Sequence, residues 1–472
     1  MTDSPKAAVP PAAAQETSEG LHRDLKNRHI QMIALGGAIG TGLFYGSAES
    51  IGMAGPAVVF TYLLGGAAIF FVMRALGEMA VDHPTSGAFS YFAYKNWSQR
   101  AGFVSGWNYW FNYILVSMVE LVVVGAYVQY WLPDMPSWLT ALIFLVVITA
   151  VNLIGVGAFG EFEFWFAIIK VVAVLAMIVV GIVIIIAGYN GQPASGLSNL
   201  WSHGGFFPNG LGGAVAALVV VMFSFGGVEL VGITAGEADN PKKTIPRAIN
   251  QIVYRILIFY VGALLIITAV YQWDKIDGQM SPFVEMFDGV GFTAAAHVLN
   301  VVVITAAMSV YNSGLYSNGR MLRSLAAQGN APSYLKKVNK RGVPVAGVLT
   351  SSAITLVAVA VSFFLSGQAF GYLMSIATAA GVINWTMIMI TQWRFRKRIG
   401  ETAAAKLEFK MPGFPWINVV VVLFLALVVV MMAANANYLP AVIIGPLWIA
   451  ILLVAYQVKR TRQKRAGQPT DV

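Results

Sequence analysis

The chain contains no cysteine. Disulfides, thiol nucleophiles and cysteine-ligated metals are therefore excluded. Charge is nearly as scarce, since Asp, Glu, Lys and Arg together make up 11% of the 472 residues. A soluble globule carries about 25%, so this chain has too little polar surface to face water. Histidine is sparse too: the five, His22, His29, His83, His203 and His297, are scattered, and no H-E-x-x-H pattern occurs. A membrane-embedded hydrolase or transferase would want a metal cluster or an activated nucleophile, and the sequence offers neither pattern.

What the chain has is apolar length, with 58% hydrophobic residues and a mean hydropathy of +0.71. A helix of about 20 apolar residues spans about 30 Å of hydrocarbon. Twelve such stretches can be read, at 30–50, 56–80, 103–132, 138–154, 162–187, 211–235, 247–271, 290–318, 345–365, 370–393, 416–434 and 439–458. The fold class is thus an all-α polytopic membrane protein with twelve transmembrane helices. Residues 1–20, rich in Ala and Pro without an apolar core, read as a disordered cytoplasmic tail and not as a signal peptide. With the amino terminus inside, the cytoplasmic segments collect nearly all Lys and Arg outside the spans, including the basic tail 459–472, while the opposite side has only Lys275. That bias puts both termini in the cytoplasm. It also accounts for the net charge of +9 without a nucleic-acid partner.

Two apolar stretches are broken by glycine: the first at Gly36 to Gly42 (Gly-Gly-Ala-Ile-Gly-Thr-Gly), the sixth at Phe223 to Glu229 (Phe-Ser-Phe-Gly-Gly-Val-Glu). Glycine costs a helix about 1 kcal/mol relative to alanine. Unwound backbone survives at bilayer depth only where protein buries it or it lines a cavity. Matched interruptions five segments apart, in segments of opposite direction, predict two inverted five-helix halves followed by two extra helices, with the substrate at the breaks. A carrier follows from this more readily than a channel, for which no charged pore ring is seen.

The residues also resemble a family. The run from Leu21 to Arg28 with His29-Ile30-Gln31, the Gly36 to Gly42 motif, Arg74 to Glu78, Gly106 to Trp110, Gly160 to Trp165 and Phe223 to Glu229 are similar to the amino acid transporter family of the amino acid/polyamine/organocation superfamily. So are Glu237 to Pro241, Ile245 to Arg247 and Ser309 to Leu322. The nearest likeness is to bacterial aromatic amino acid and phenylalanine permeases. The resemblance implies a LeuT-like core over 21–398, a linker with two accessory helices over 399–458, and proton-coupled import of an α-amino acid across the bacterial inner membrane. It implies no cofactor; the proton is the coupling ion. The wording departs from the aromatic permeases around 60–72 and 82–95, so histidine or a small neutral amino acid (Ala, Gly, Pro) stays open beside Phe, Tyr and Trp. From other classes, a membrane amino acid sensor and a membrane-embedded enzyme are the alternatives.

Free N–H groups at the start of a half-helix suit a carboxylate, which assigns Gly40, Thr41 and Gly42 to the substrate carboxylate. Carbonyls freed at the sixth-segment break suit its ammonium, with Phe223 and Ser224 as candidates and Phe225 as a gate against plain core packing. Ionisable residues at bilayer depth are functional candidates by default. Lys170, Glu229 and Glu120 are those for proton coupling. Lys170 has no carboxylate four residues away, and the resemblance places a basic residue of the superfamily near here. Glu229 has anchoring of the unwound backbone as its structural alternative. Arg74 and Glu78 read as an intrahelical pair. Of Trp107, Tyr109, Trp110, Phe111 and Tyr113, only the deepest, Tyr113, is a candidate for pocket lining; the others read as interfacial anchors. Asn312 and Ser313 either line the site or bond between helices.

Overall fold

The computed structural model describes residues 28, 32, 39–85, 87–189, 193–235, 240–278, 280–364 and 369–465. The amino-terminal tail 1–20, residues 36–38 of the first glycine motif, 237–239 of the cytoplasmic run and the last residues 466–472 lie outside them.

Among the described residues the regular elements are helices. The first segment contributes α1 (Thr41–Phe44) and α2 (Gly46–Ala54), and α3 (Val58–Asp82) is the second. A short helix, α4 (Ala88–Asn96), leads to α5 (Gln99–Gln129), α6 (Ser137–Ile154) and α7 (Val156–Ala187). The sixth segment is α8 (Gly210–Ala216), α9 (Leu218–Ser224) and, past the break, α10 (Leu230–Thr234). Then come α11 (Pro241–Arg255), a π-helical stretch (Ile256–Gly262) and α12 (Ala263–Val270). They are followed by α13 (Pro282–Gly289), α14 (Thr293–Ala327), α15 (Val345–Thr355), α16 (Val357–Phe364), α17 (Ala369–Ala404), α18 (Trp416–Ala434) and α19 (Leu439–Arg465).

Nine helical runs among the described residues are long and apolar enough to cross a membrane, and two shorter apolar ones, Gly210–Ser224 and Val345–Val361, fall on the sixth and ninth stretches. Hydropathy locates the spans but not the helix ends, because a helix continues wherever its backbone is capped or packed. Thus α5 starts at Gln99, where the Ser98 hydroxyl accepts from the Ala101 N–H at 3.1 Å. Similarly α14 runs on to Ala327, burying Arg320 and Arg323. The loop helix α13 has no counterpart in the apolar stretches; Ser281 caps it and Pro282 occupies its first turn.

Helices α5 and α17 are largely enclosed by protein, and α5 packs against α14 and α17. By contrast α6, α7, α18 and α19 turn most of their surface outward. Their outward side chains, Val179, Ile186, Val420 and Leu423 among them, are apolar, as a lipid-facing surface requires. Central enclosed helices ringed by lipid-facing ones put the polar buried residues in the middle.

The start of α5 and the partners of Glu78 correct two expectations. Because α5 begins at Gln99, Tyr109 and Trp110 lie several turns inside it and are buried, with the Trp110 indole N–H donating to Ser351 at 3.1 Å. They are core, not interfacial anchors. Arg74 and Glu78, expected to pair within the helix, feel each other's charge but make no hydrogen bond or ion pair together; the main partners of each lie elsewhere. The Glu78 carboxylate takes a two-pronged contact from Arg396 (2.6 and 2.5 Å) and further bonds from Gln392 (2.9 Å) and the Met411 N–H (2.6 Å). Arg74 instead stacks on Phe409 at 3.9 Å and bonds to Asn250 and the Lys410 carbonyl. The planar guanidinium of Arg396 meets the carboxylate edge-on, a geometry that neighbours on one helix seldom reach.

Candidate substrate and coupling site

Within the first glycine motif α1 begins at Thr41, preceded by Gly40 in an extended conformation (φ −134°, ψ −157°). Gly40 supplies its carbonyl to the N–H groups of Leu43 and Phe44, both at 3.1 Å. The N–H groups of the first turn are thus presented toward the extended side, the arrangement that favours an anion. In the structure an anion-forming group already sits there. The Thr41 hydroxyl donates to Glu120 Oε1 at 2.9 Å, and the Glu120 carboxyl also lies against the Thr41 main chain. A β-carbon placed on Gly40 would be 3.3 Å from the same oxygen and 2.5 Å from a Val310 methyl. The Thr41 hydroxyl proton, expected as an extra donor to substrate, is therefore committed to Glu120.

The sixth segment breaks where the glycines predicted. Helix α9 ends at Ser224, the chain turns through Gly227 at φ +98°, and α10 begins at Leu230. The two interruptions touch: a β-carbon on Gly42 would stand 2.6 Å from the Ser224 α-carbon. Carbonyls at the end of α9 are partly satisfied. Phe223 O accepts from the Gly226 N–H at 2.9 Å, and Ser224 O accepts from the Tyr260 hydroxyl at 3.1 Å. Each carbonyl keeps a second lone pair. The Ser224 hydroxyl is engaged by the Val220 carbonyl (3.2 Å) and the Tyr62 hydroxyl (2.9 Å).

Two aromatic groups flank this break. Phe223 faces Phe370 (6.4 Å between ring centres), which meets Tyr45 at 4.7 Å, and Tyr45 meets Tyr127 at 6.0 Å. Phe225 is fully buried against Tyr62 (5.8 Å) and Tyr260 (4.9 Å), with α3 pressed on its ring at Gly65. Its ring is held as core between α3 and the π-helical stretch, the plain alternative to a gate.

Lys170 is fully buried and has a partner that four-residue spacing does not find. Its ammonium donates to Ser309 Oγ at 2.8 Å, and the Ser309 hydroxyl donates to Glu163 Oε1 at 2.5 Å. Glu163 lies seven residues before Lys170, two turns along one face of α7. Glu120 also acts on Lys170 electrostatically. One buried run of groups therefore reads Glu163, Ser309, Lys170, Glu120, Thr41, drawn from α7, α14, α5 and α1.

The remaining candidates divide. Glu229 is buried past the break, beside Tyr113, Tyr109 and Trp385, and within the field of the buried Arg255. Tyr113 in turn packs on Tyr109 at 4.8 Å and on Gly314 of α14. Ser313 falls on the same stripe of α14 as Ser309, and its buried hydroxyl makes no hydrogen bond among the described residues. Asn312 is taken by Asn152 of α6, whose amide donates to its Oδ1 at 2.8 Å and its carbonyl at 3.4 Å. That is the interhelical alternative. Glu163, Ser309, Tyr62 and Tyr260 were not among the candidates; only the seven-residue spacing of Glu163 and Lys170 offered a signal.

The amino acid permease family matches residues 29–467. The aromatic amino acid transport protein AroP of Escherichia coli (strain K12) is 49% identical over 450 residues, covering 95% of this chain and 98% of its own. AroP of Salmonella typhimurium (strain LT2) is 49% identical over 451 residues, with 96% and 98% covered. YtnA of Bacillus subtilis (strain 168), an uncharacterized amino acid permease, is 46% identical over 458 residues, with 97% and 99% covered. A match running through nearly the whole chain, laid over two touching helix breaks at the centre of an all-helical membrane protein, establishes that this chain belongs to the amino acid permease family and is a transporter, not an enzyme.

Proposed function

We propose that the chain imports aromatic amino acids together with a proton across the bacterial inner membrane, by alternating access at the two helix breaks. The reading includes twelve spans in two inverted five-helix halves plus two accessory helices, with both termini in the cytoplasm. The observation that carries it is the Glu120 carboxyl bonded to Thr41 at 2.9 Å, on the helix start where a substrate carboxylate belongs. Two carboxylates repel at one helix end, so Glu120 has to take up a proton, or leave, before the substrate binds. That links proton binding to substrate binding directly. The buried run through Lys170, Ser309 and Glu163 then gives the proton a set of polar groups beyond Glu120.

In this reading the N–H groups of Thr41 and Gly42 hold the carboxylate, and the free lone pairs of Phe223 and Ser224 carbonyls hold the ammonium. Tyr113, Ser313 and Glu229 border the inner end. Phe223, Phe370 and Tyr45 give a ring substrate edge-to-face partners, each worth about 0.5–1.5 kcal/mol beyond area burial. Identity to AroP relatives supports the aromatic choice. The test is competition in proteoliposomes: uptake of labelled phenylalanine should be blocked by unlabelled tyrosine and tryptophan and little by histidine, proline or alanine. Robust uptake of histidine or alanine without any aromatic uptake would overturn the substrate.

A further inference from the structure

A cavity of about 460 Å³ opens between α4 and α17, lined by Asn96, Ile390, Trp393, Arg394 and Lys397. It lies at the end of α17 that the Lys and Arg bias assigns to the cytoplasm. Trp393 stands over Phe414 at 5.9 Å, and the highly exposed Trp416 begins α18, so these aromatics mark where the chain leaves and re-enters hydrocarbon.

The charged side chains that line the cavity, Arg394 and Lys397, are both cations. Arg394 lies over the Trp97 ring at 5.2 Å and Lys397 over Trp393 at 5.8 Å, and neither forms an ion pair among the described residues. Glu401, four residues after Lys397, is carried off the helical face by Gly400, whose φ is +78°. Arg398 reaches no carboxylate either; its Nε donates to the Asn96 side-chain oxygen at 3.0 Å. Arg396 alone is neutralised, by Glu78. Burial and the Arg398 charge hold the nearby Lys95 ammonium below the usual lysine range, against the opposite pull of Asp82. Unneutralised cations gathered around a cavity leave room and charge for an anion. Their position beside indole rings at the hydrocarbon boundary gives that anion an apolar remainder.

We propose that this cavity binds the phosphate of an anionic phospholipid of the inner leaflet, with Arg394 and Lys397 on the phosphate and Trp393 and Ile390 against the glycerol and upper chains. The α4–α17 contact is bridged by Asn96, so the lipid ties the short cytoplasmic helix to α17.

The test is native mass spectrometry of the full chain titrated with phosphatidylglycerol, phosphatidylcholine or inorganic phosphate. Two cations near a headgroup give about a thirtyfold preference for the anionic lipid. Wild type should show it, Arg394→Gln/Lys397→Gln should lose it, and Lys397→Gln alone should lose about fivefold. The charge-matched pair Lys336→Gln/Lys337→Gln, on an exposed segment elsewhere, should keep it. Equal preference in wild type and both cavity variants would overturn the proposal. So would loss of the preference in the Lys336/Lys337 control, which would mean diffuse surface attraction. Displacement of the lipid by inorganic phosphate at matched concentration would also overturn it, pointing to a soluble anion.

Discussion

Replacing Gly42 by alanine tests whether the two helix breaks must touch. The added β-carbon would stand 2.6 Å from the Ser224 α-carbon, 3.0 Å from its nitrogen and 3.1 Å from its hydroxyl oxygen. Carbon atoms rest at about 3.5–4.0 Å, so α1 and the end of α9 have to separate by about 1 Å. Two of the three atoms are backbone and cannot swing aside. Overpacking of this kind costs about 1–3 kcal/mol, and if the strain falls on the site, phenylalanine affinity drops between about fivefold and 150-fold. Gly52, in the same segment, has nothing within 4 Å of an added β-carbon. Gly52→Ala is the matched control and should bind like wild type. Equilibrium binding of labelled phenylalanine to purified protein reads both variants, with melting temperature alongside. Wild-type affinity and wild-type melting in Gly42→Ala would refute the packing of the two breaks.

Glu120→Gln keeps an oxygen for Thr41 but cannot titrate, so counterflow exchange of labelled substrate should persist while uphill accumulation driven by a pH gradient is lost; retained accumulation would contradict the coupling role. Ser309→Ala removes the hydroxyl between Lys170 and Glu163, which should cost about 1–3 kcal/mol for polar groups left short of a partner and cut accumulation by about fivefold or more, with Ser309→Thr restoring it. An unaffected Ser309→Ala would remove this residue from the run. On α13, outside the spans, burial and the neighbouring Asp277 push the Glu285 carboxyl up to about 7. Its folded value lies above the unfolded one, so its contribution to stability is full below about pH 4.5 and is lost as pH rises through about 7. The melting temperature of wild type should carry that fall, and Glu285→Gln should flatten it; identical pH profiles would refute the assignment.

The break in the sixth segment was legible because glycine and polar residues interrupt an apolar run, and α9 and α10 stop and start on either side of it. Lys170 was legible as a charge in an apolar helix. Its partners were not: Ser309 lies 139 residues away, and Glu163 pairs through it at a spacing that a four-residue rule skips. The direction of Phe225 was equally hidden, since helical periodicity ends at the break and no longer tells which neighbour a ring meets. Buried polar pairing follows the same logic. Asn312 and Glu78 each bond to a helix distant in sequence, Asn152 on α6 and Arg396 on α17, and such partners are set by packing, not by local pattern. Helix ends went astray at Gln99 and Ala327 because hydropathy registers lipid contact while a helix ends where its capping and packing end.

The central claim is that a proton and an aromatic amino acid enter together through Glu120 and the broken first helix. It is tested most directly by recording, in the same proteoliposomes, labelled phenylalanine uptake and internal acidification from a trapped pH dye. Wild type should acidify the lumen in step with phenylalanine entry, and a proton ionophore should abolish accumulation. Glu120→Gln should exchange phenylalanine without any proton signal. Phenylalanine uptake in wild type with no accompanying acidification, or acidification that survives in Glu120→Gln, would contradict the account.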